Sequence, residues 1–204
     1  MLLVRRTLSV ASMHHANVPA FSGHTSVMPE VTVVVSKDVA ITLGSMHLLA
    51  PYNQNNANNR TTQLENLTKR LRARPFVNGK QAGAIVMGDF NDCAKNYFTF
   101  PEDMGFKDAW LLLHPDEGKQ STEGFTIDGD RNPYAARIIE REFNGRADRV
   151  LFCSRNLQPI HTEIVGTTSV RAMGITKQVN CDKDVPEYLY PSDHFGLLVE
   201  FQVV

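Results

Sequence analysis

The sequence lacks several features that define specialised classes of protein. No apolar run reaches the roughly 20 residues that a helix needs to cross a bilayer, so we expect no membrane insertion. Its 3 cysteines are odd in number and lack metal-ligand spacing, which favours reduced structural thiols in an intracellular compartment. The net charge of −1 excludes a general basic field, so any contact with nucleic acid would need a local patch.

What is present suits a globular enzyme or binding domain. A chain of 204 residues with 42% hydrophobic content can build one domain around a real core. Acidic residues are absent before Glu30, so a mitochondrial presequence is conceivable, although the extended pattern of residues 1–10 favours an edge strand. Residues 12–29 are small, polar and punctuated by proline, which predicts a loop. Neither stretch suggests a site.

The next segments predict a hairpin followed by a helix. Residues 31–35 and 39–43 are β-branched runs separated by a short polar turn. An asparagine-rich stretch then predicts a helix capped at Asn58 or Asn59, with leucines on one face at positions 64, 67 and 71. Its basic residues favour a solvated face: Arg60, Lys69, Arg70, Arg72 and Arg74.

The central stretch, residues 84–92, joins a buried strand directly to polar residues. Residues 84–87 are apolar and Gly88 ends the run, which predicts a buried strand of a mixed sheet. If the extended conformation continues, Asp89 and Asn91 point to one side and can share a water, a metal or a phosphate oxygen. The structural alternative is an Asx turn that ends the strand.

Three other strand boundaries carry residues of catalytic type. His47 follows the second strand of the hairpin, Asp148 stands at the charged entry to an apolar strand, and Asp193 and His194 precede the last apolar strand. Residues 154–190 between them look irregular and polar. Each residue has a structural alternative, such as a core-edge histidine or a surface ion pair. Together they predict phosphoester hydrolysis, in which carboxylates suit Mg²⁺ or Mn²⁺.

These residues resemble a known family. Gly88-Asp89-Phe90-Asn91, then Arg146-x-Asp148-Arg149, then Ser192-Asp193-His194 are similar in order and spacing to the endonuclease/exonuclease/phosphatase superfamily, which includes deoxyribonuclease I and the abasic-site endonucleases. Within it the chain resembles the 5′-tyrosyl-DNA phosphodiesterase branch through further motifs: Ser45-x-His47-Leu48, Thr126-x-Asp128 and Pro191-Ser192-Asp193-His194-Phe195-Gly196.

The resemblance implies a fold, a cofactor and roles for residues. The fold would be of the α/β (α+β) class, a four-layer α/β/β/α sandwich, with residues 1–204 as the C-terminal portion of a single domain. The cofactor would be Mg²⁺ or Mn²⁺. The implied catalytic residues are Asp89 and Asn91 at the attacking water and phosphate, His194 and His47 at the phosphate, and Asp148 behind an imidazole. The remaining implied roles are metal binding by Asp193 and substrate binding by Arg146, Thr126 and Ser192.

Departures from the family pattern bear on metal and substrate. The first strands of the family fold carry an asparagine and then a Gln-Glu motif, and neither is present here, so the resemblance implies weaker metal binding. Asp92-Cys93-Ala94 stands where the tyrosyl-DNA branch usually has Leu-Arg-Asp. Ile127 stands where that branch usually has tryptophan, which weakens a stacking surface for a base or a tyrosine.

Three functions stay open on this evidence. The first is a Mg²⁺-dependent phosphodiesterase that acts on a DNA end, with this chain as part of a longer active polypeptide and inactive by itself. Its partner would be a DNA end or a single strand, and the protein would be a monomer. The second is a catalytically dead binding or scaffold module, and the third is a related hydrolase of RNA or inositol phosphates. The resemblance implies a nuclear location, with the mitochondrion as the alternative.

Overall fold

The computed structural model describes residues 3–19, 25–50, 54–73, 76–77, 80–92, 104–115, 122–138, 144–171 and 188–204. Its strands are β1 (Ser9–Pro19), β2 (Thr25–Val34), β3 (Val39–His47), β4 (Phe76–Val77), β5 (Lys80–Asp89), β6 (Lys107–Asp108), β7 (Asp148–Cys153), β8 (Leu157–Val165), β9 (Val170–Arg171), β10 (Tyr188–Leu189) and β11 (Gly196–Val203). Its helices are α1 (Gln54–Arg72), α2 (Ala109–Leu113) and α3 (Ala135–Ile138).

A mixed seven-stranded sheet organises the chain. Its strand order is β1-β2-β3-β5-β7-β6, and β4 pairs with β5 outside this path. Strands β3 and β5 run parallel, and the long helix α1 lies between them in sequence, as a parallel crossover requires. All the other pairings in this sheet are antiparallel. The predicted α/β class is confirmed.

The two faces of this sheet bury different partners. On one face, Leu64, Leu67 and Leu71 of α1 join Ala84 and Val86 of β5 in one hydrophobic cluster. On the other face, a second sheet made of β8 and β11 packs against the residues that alternate along the strands with those facing α1. The Phe152 and Phe201 rings meet there edge to face, with centroids 5.3 Å apart. The described residues thus place helix α1 on one face of the sheet and a second sheet on the other, and the four-layer sandwich stays a prediction.

The hairpin prediction is confirmed by the antiparallel pairing of β2 with β3. The loop predicted over residues 12–29 is wrong for residues 12–19 and 25–29, and residues 20–24 lie outside the described part of the chain. Strands β1 and β2 pair in antiparallel fashion from Ser9 opposite Val34 to Pro19 opposite Thr25. The ladder satisfies the backbone of this polar stretch, and Ala16 and Met28 turn inward as buried residues. Tertiary pairing outweighs a composition that is weak for strands.

The helix prediction is confirmed in its apolar face and wrong in two details. Helix α1 begins at Gln54, before the predicted caps at Asn58 and Asn59. Arg60 is 2% exposed and does not lie on a solvated face. Its Nη2 donates a hydrogen bond of 2.8 Å to the carbonyl of Phe90, so this arginine ties the helix to the loop after β5.

The predicted irregular stretch over residues 154–190 is also wrong in its first part. Strand β8 pairs with β11 from Leu157 opposite Val203 to Val165 opposite Gly196. The polar residues that made this strand hard to predict, including His161 and Glu163, lie at its exposed positions. Residues 172–187 of that stretch lie outside the described part of the chain. In the described part, no helix has the length and apolarity needed to cross a membrane.

Candidate active site

Three neighbouring strands bring the predicted residues to one end of the seven-stranded sheet. In the parallel pairing of β3 with β5, His47 lies opposite Asp89. In the antiparallel pairing of β5 with β7, Asp89 lies opposite Asp148. Because adjacent strands lie about 5 Å apart, this register alone places the three side chains side by side.

Gly88 permits the close contact between β5 and β3 at this end. Its φ of +134° is a backbone conformation that side-chain-bearing residues rarely adopt. A Cβ at this position would lie 2.0 Å from the Met46 carbonyl oxygen, which is an impossible separation. Glycine is therefore required just before Asp89.

The segment after Asp89 turns and does not continue as a strand. Asn91 has a φ of +49°, and its backbone N–H donates to Asp89 Oδ1 at 2.6 Å. Its side-chain Nδ2 donates to the Leu48 carbonyl at 2.7 Å. The alternative of an Asx turn is therefore confirmed, and the prediction of two parallel side chains on an extended segment is wrong. The turn holds the Asp89 carboxylate in a fixed orientation.

His194 and Asp148 form the shortest contact between two side chains of the predicted set. His194 Nδ1 lies 2.8 Å from Asp148 Oδ2, and the two side chains are 22% and 24% exposed. A second, looser pair lies beside it: His47 Nε2 lies 3.3 Å from Asp89 Oδ2, with the His47 side chain 76% exposed. The site thus contains two histidine–aspartate pairs of unequal burial.

Asp89 and His194 both have raised pKa values. Burial is the largest cause of the raised pKa of Asp89, and repulsion by Asp148 adds to it, while the Asn91 N–H and the two histidines oppose it. For His194, the hydrogen bond to Asp148 is the largest cause of the raised pKa, and the charges of Asp148, Asp89 and Asp193 add to it against burial. These shifts favour a basic carboxylate beside an imidazolium.

Asp89, Asp148 and His194 form a group that could hold a divalent cation. One ligand atom from each lies within 4.8 Å of the others. A metal binds histidine through a neutral ring nitrogen, so the group offers two carboxylates and, when its ring is neutral, His194. Two carboxylates suit Mg²⁺ or Mn²⁺, which often bind through one or two carboxylates and keep several waters.

Not every predicted residue reaches this group. Asp193 lies outside the three-residue cluster, and its Oδ1 accepts a hydrogen bond of 3.1 Å from Ser192 Oγ. That hydroxyl also accepts the His194 N–H at 3.1 Å, so Ser192 closes a local turn. Arg146 is 4% exposed, and its two Nη atoms donate to the Asp108 carboxylate at 3.3 and 2.8 Å. The predicted role of Arg146 in substrate binding has no support in this geometry.

Thr126 is buried and bonded to the site's backbone. It is 1% exposed, and its Oγ1 accepts a hydrogen bond of 2.9 Å from the Asp148 N–H. Thr126 therefore contacts the residue behind His194, and its contact with substrate stays a prediction.

The sequence reasoning missed several residues that support the site. Arg149 and Asp92 are each 5% exposed and form an ion pair with a 3.1 Å contact, which links β7 to the loop after β5. Asn132 is fully buried, and its Nδ2 donates to the Ser192 carbonyl at 2.9 Å. Arg149 belongs to the Arg146-x-Asp148-Arg149 motif, so its place beside the site could be predicted, but its ion pair with Asp92 could not. Nothing in the sequence marks Asn132.

Comparison with known proteins agrees with this fold. The model of the Endonuclease/Exonuclease/phosphatase family matches residues 1–194. The chain therefore belongs to this family, whose members act on phosphoester bonds. A search among curated proteins finds no match.

Solved structures show the same fold at low sequence identity. The crystal structure of D. rerio TDP2 complexed with single strand DNA product is 20% identical with a TM-score of 0.67, and the match covers 96% of this chain and 69% of that one. Truncated Caenorhabditis elegans TDP2 is 18% identical with a TM-score of 0.65, covering 98% and 68%. The human Nocturnin catalytic domain with bound sulfate anion is 17% identical with a TM-score of 0.60, covering 97% and 60%.

Proposed function

We propose that this chain is a divalent-metal-dependent phosphodiesterase that hydrolyses the phosphoester bond at a DNA end, with a 5′-tyrosyl-DNA link as the first substrate to test. The observation that carries the proposal is the convergence of Asp89, Asp148 and His194 within 4.8 Å, with His47 beside Asp89. A base, an imidazolium and a carboxylate behind it are the groups that hydrolysis of a phosphodiester requires.

Asp89 is the proposed general base. Its raised pKa makes it a stronger base than an ordinary aspartate, and the bond from the Asn91 N–H fixes one carboxylate oxygen. Asp89 takes the proton of the attacking water as the new bond between oxygen and phosphorus forms. The bond between phosphorus and the tyrosine oxygen then breaks, and the phenolate leaves with the bonding electrons.

His194 is the proposed donor to the phosphoryl oxygens. Its Nδ1 is held at Asp148 Oδ2, which fixes the ring and leaves Nε2 as the donor to the phosphate. The raised pKa of His194 keeps the ring charged while negative charge develops around phosphorus. A divalent cation held at this cluster would, when bound, neutralise further phosphoryl charge.

The choice of a DNA end rests on weaker support than the choice of reaction. The family model and the TDP2 fold support a nuclease-like phosphodiesterase, and the D. rerio TDP2 structure contains a single strand DNA product. The exposed His47 offers a contact for a phosphate at the mouth of the site. Ile127 is 4% exposed, so it provides no stacking surface for a base.

The test is cleavage of a single-stranded oligonucleotide with a 5′-phosphotyrosine, with and without Mg²⁺. Three proteins are compared: this chain, Asp89→Asn combined with His194→Ala, and His161→Ala as a matched control. His161 is a half-exposed histidine next to Glu163 on β8, so its loss should leave the rate unchanged. We expect Mg²⁺-dependent cleavage in the wild type and the control, and a loss of at least about 10³-fold in the double variant.

Two results would overturn the proposal. One is a folded wild-type protein that cleaves neither this oligonucleotide nor a plain single strand, which would favour a binding module. The other is cleavage of equal rate in the double variant, which would place the chemistry elsewhere. Cleavage of an inositol phosphate or an RNA but not of DNA would keep the reaction and change the substrate.

A further inference from the structure

The segment from Thr126 to Asn132 holds the backbone on both sides of His194. The Thr126 carbonyl accepts a hydrogen bond of 2.7 Å from the Phe195 N–H. Asn132 Nδ2 donates to the Ser192 carbonyl at 2.9 Å. These two bonds bracket His194, one residue after it and two residues before it. The position of the imidazole therefore depends on this segment.

The same segment also holds Asp148. Thr126 Oγ1 accepts the Asp148 N–H at 2.9 Å, so one threonine binds the backbone of Asp148 and of Phe195, the residue that follows His194. Thr126 and Asn132 are 1% and 0% exposed. Hydrogen bonds so well shielded from water are costly to lose, because a buried partner is then left unsatisfied.

The Asn132 amide is itself fixed in one orientation. Its Oδ1 accepts the N–H groups of Tyr134 and Ala135 at 3.0 and 3.4 Å, at the start of α3. Its backbone N–H donates to the Asp128 carbonyl at 2.8 Å. With the amide oxygen occupied by donors, the amide nitrogen is directed to Ser192. The side chain acts as a rigid spacer between α3 and the segment that carries His194.

We propose that Thr126 and Asn132 are positioning residues that together set the distance between Asp148 and His194. Neither contacts the reacting atoms, and each acts through the backbone of a site residue. The proposal rests on the proposed function only for its effect on turnover. Its effect on the Asp148–His194 contact can be measured whether or not the protein hydrolyses DNA.

The experiment compares variants that remove one hydrogen bond each. Thr126→Val keeps the side-chain shape but removes the acceptor for the Asp148 N–H, and Thr126→Ser restores that acceptor. Asn132→Asp keeps the oxygen that caps α3 but removes the donor to Ser192. Thr162→Val is the matched control, because the Thr162 hydroxyl bonds to His114 Nε2 at 2.9 Å, in a different histidine contact between β8 and α2.

Two readouts separate positioning from loss of fold. The first is the downfield proton resonance of the His194 Nδ1–H in the metal-free protein, assigned by its loss in His194→Ala. The second is kcat against KM on the phosphotyrosine oligonucleotide. We expect Thr126→Val and Asn132→Asp to shift or weaken the resonance and to lower kcat about 10- to 100-fold, with KM changed less than about twofold. Thr126→Ser and Thr162→Val should match the wild type.

A wild-type resonance in both folded variants would overturn the proposal, even with a lower kcat, because the loss would not act through the Asp148–His194 contact. If Thr126→Val fails to fold, Asn132→Asp decides by the same measurements. A shifted resonance in a protein whose wild type shows no hydrolysis would support positioning and reject the proposed function.

Discussion

The two histidine–aspartate pairs of the site differ in distance and in burial. The His194–Asp148 contact is 2.8 Å long with both side chains mostly buried. The His47–Asp89 contact is 3.3 Å long, and the His47 side chain is 76% exposed. Two pairs of the same residue types therefore need not share a role, because water screens the exposed pair more strongly than the less exposed one.

The His194–Asp148 pair and the His47–Asp89 pair also differ in the contacts that hold their residues in place. Asp148 is held by Thr126, and the backbone around His194 is held by Thr126 and Asn132. On the other pair, Asp89 is fixed by the Asn91 N–H, while the His47 side chain extends from the end of β3 into solvent. We therefore infer that His194 acts on the reacting phosphate, and that His47 makes an adaptable contact with substrate.

Replacing the two histidines in turn should give the largest difference. His194→Ala removes the group that donates to the developing phosphoryl charge, and we expect kcat to fall about 10²- to 10⁴-fold. His47→Ala removes one exposed contact, and we expect a loss of about tenfold, mainly in KM. Steady-state kinetics on the phosphotyrosine oligonucleotide measure both, with His161→Ala as the control. Equal losses in kcat for the two variants would show that the difference in burial has no catalytic meaning.

Asp148→Asn should have a smaller effect than removal of His194. The amide keeps the approximate shape but loses the charge that stabilises the imidazolium, so the raised pKa of His194 should fall toward its ordinary value of 6.5. We expect kcat at neutral pH to fall about 10²-fold, with partial recovery at lower pH. Rate measurements across pH test this. A rate loss that is the same at every pH would show that Asp148 does not act through the charge of His194.

The pH profile of the wild type should be a bell with both limbs displaced upward. Activity requires ionised Asp89, whose pKa is raised above 3.8 by burial first and by Asp148 second. It also requires protonated His194, whose pKa is raised above 6.5. His47→Ala removes a positive charge that lowers the pKa of Asp89, so it should move the acid limb upward and leave the alkaline limb in place. An alkaline limb that moves in His47→Ala would contradict the separation of the two pairs.

Much of this site could be predicted from the sequence because its residues lie at strand ends. An apolar run that ends in Gly88-Asp89 identifies both a buried strand and its polar end, and the same holds for Asp148 before β7. Strand register then places these residues together, so four separate strand boundaries predicted one cluster. Other predicted residues are directed elsewhere: Asp193 contacts Ser192, Arg146 contacts Asp108, and the Asn91 amide donates to the Leu48 carbonyl.

The rest depends on contacts between residues far apart in the chain, which no local pattern records. Arg60 lies in a basic helix that looks solvated, yet its guanidinium reaches the Phe90 carbonyl 30 residues away. Glu30, which stands between the predicted loop and the predicted hairpin, lies in β2 with a buried carboxylate that accepts from Arg70 Nε at 2.8 Å. The edge strand predicted over residues 1–10 was placed too early, since β1 covers Ser9–Pro19, where polar residues are stabilised by pairing with β2 and not by their own propensity.

The smallest expected effect is on stability, and it separates the two pairs by its dependence on pH. Because the pKa of folded His194 is raised above its unfolded value of 6.5, its contribution is fully present below pH 6.5 and is lost as pH rises through the folded pKa. His194→Ala should therefore lower the free energy of unfolding by about 1–2 kcal/mol at pH 6 and by less at pH 9. His47→Ala should change it by less than about 0.5 kcal/mol at either pH, since the ring is mostly exposed. Urea unfolding at the two pH values measures both, and an equal loss for His194→Ala at pH 6 and pH 9 would show that the short contact with Asp148 does not stabilise the charged ring.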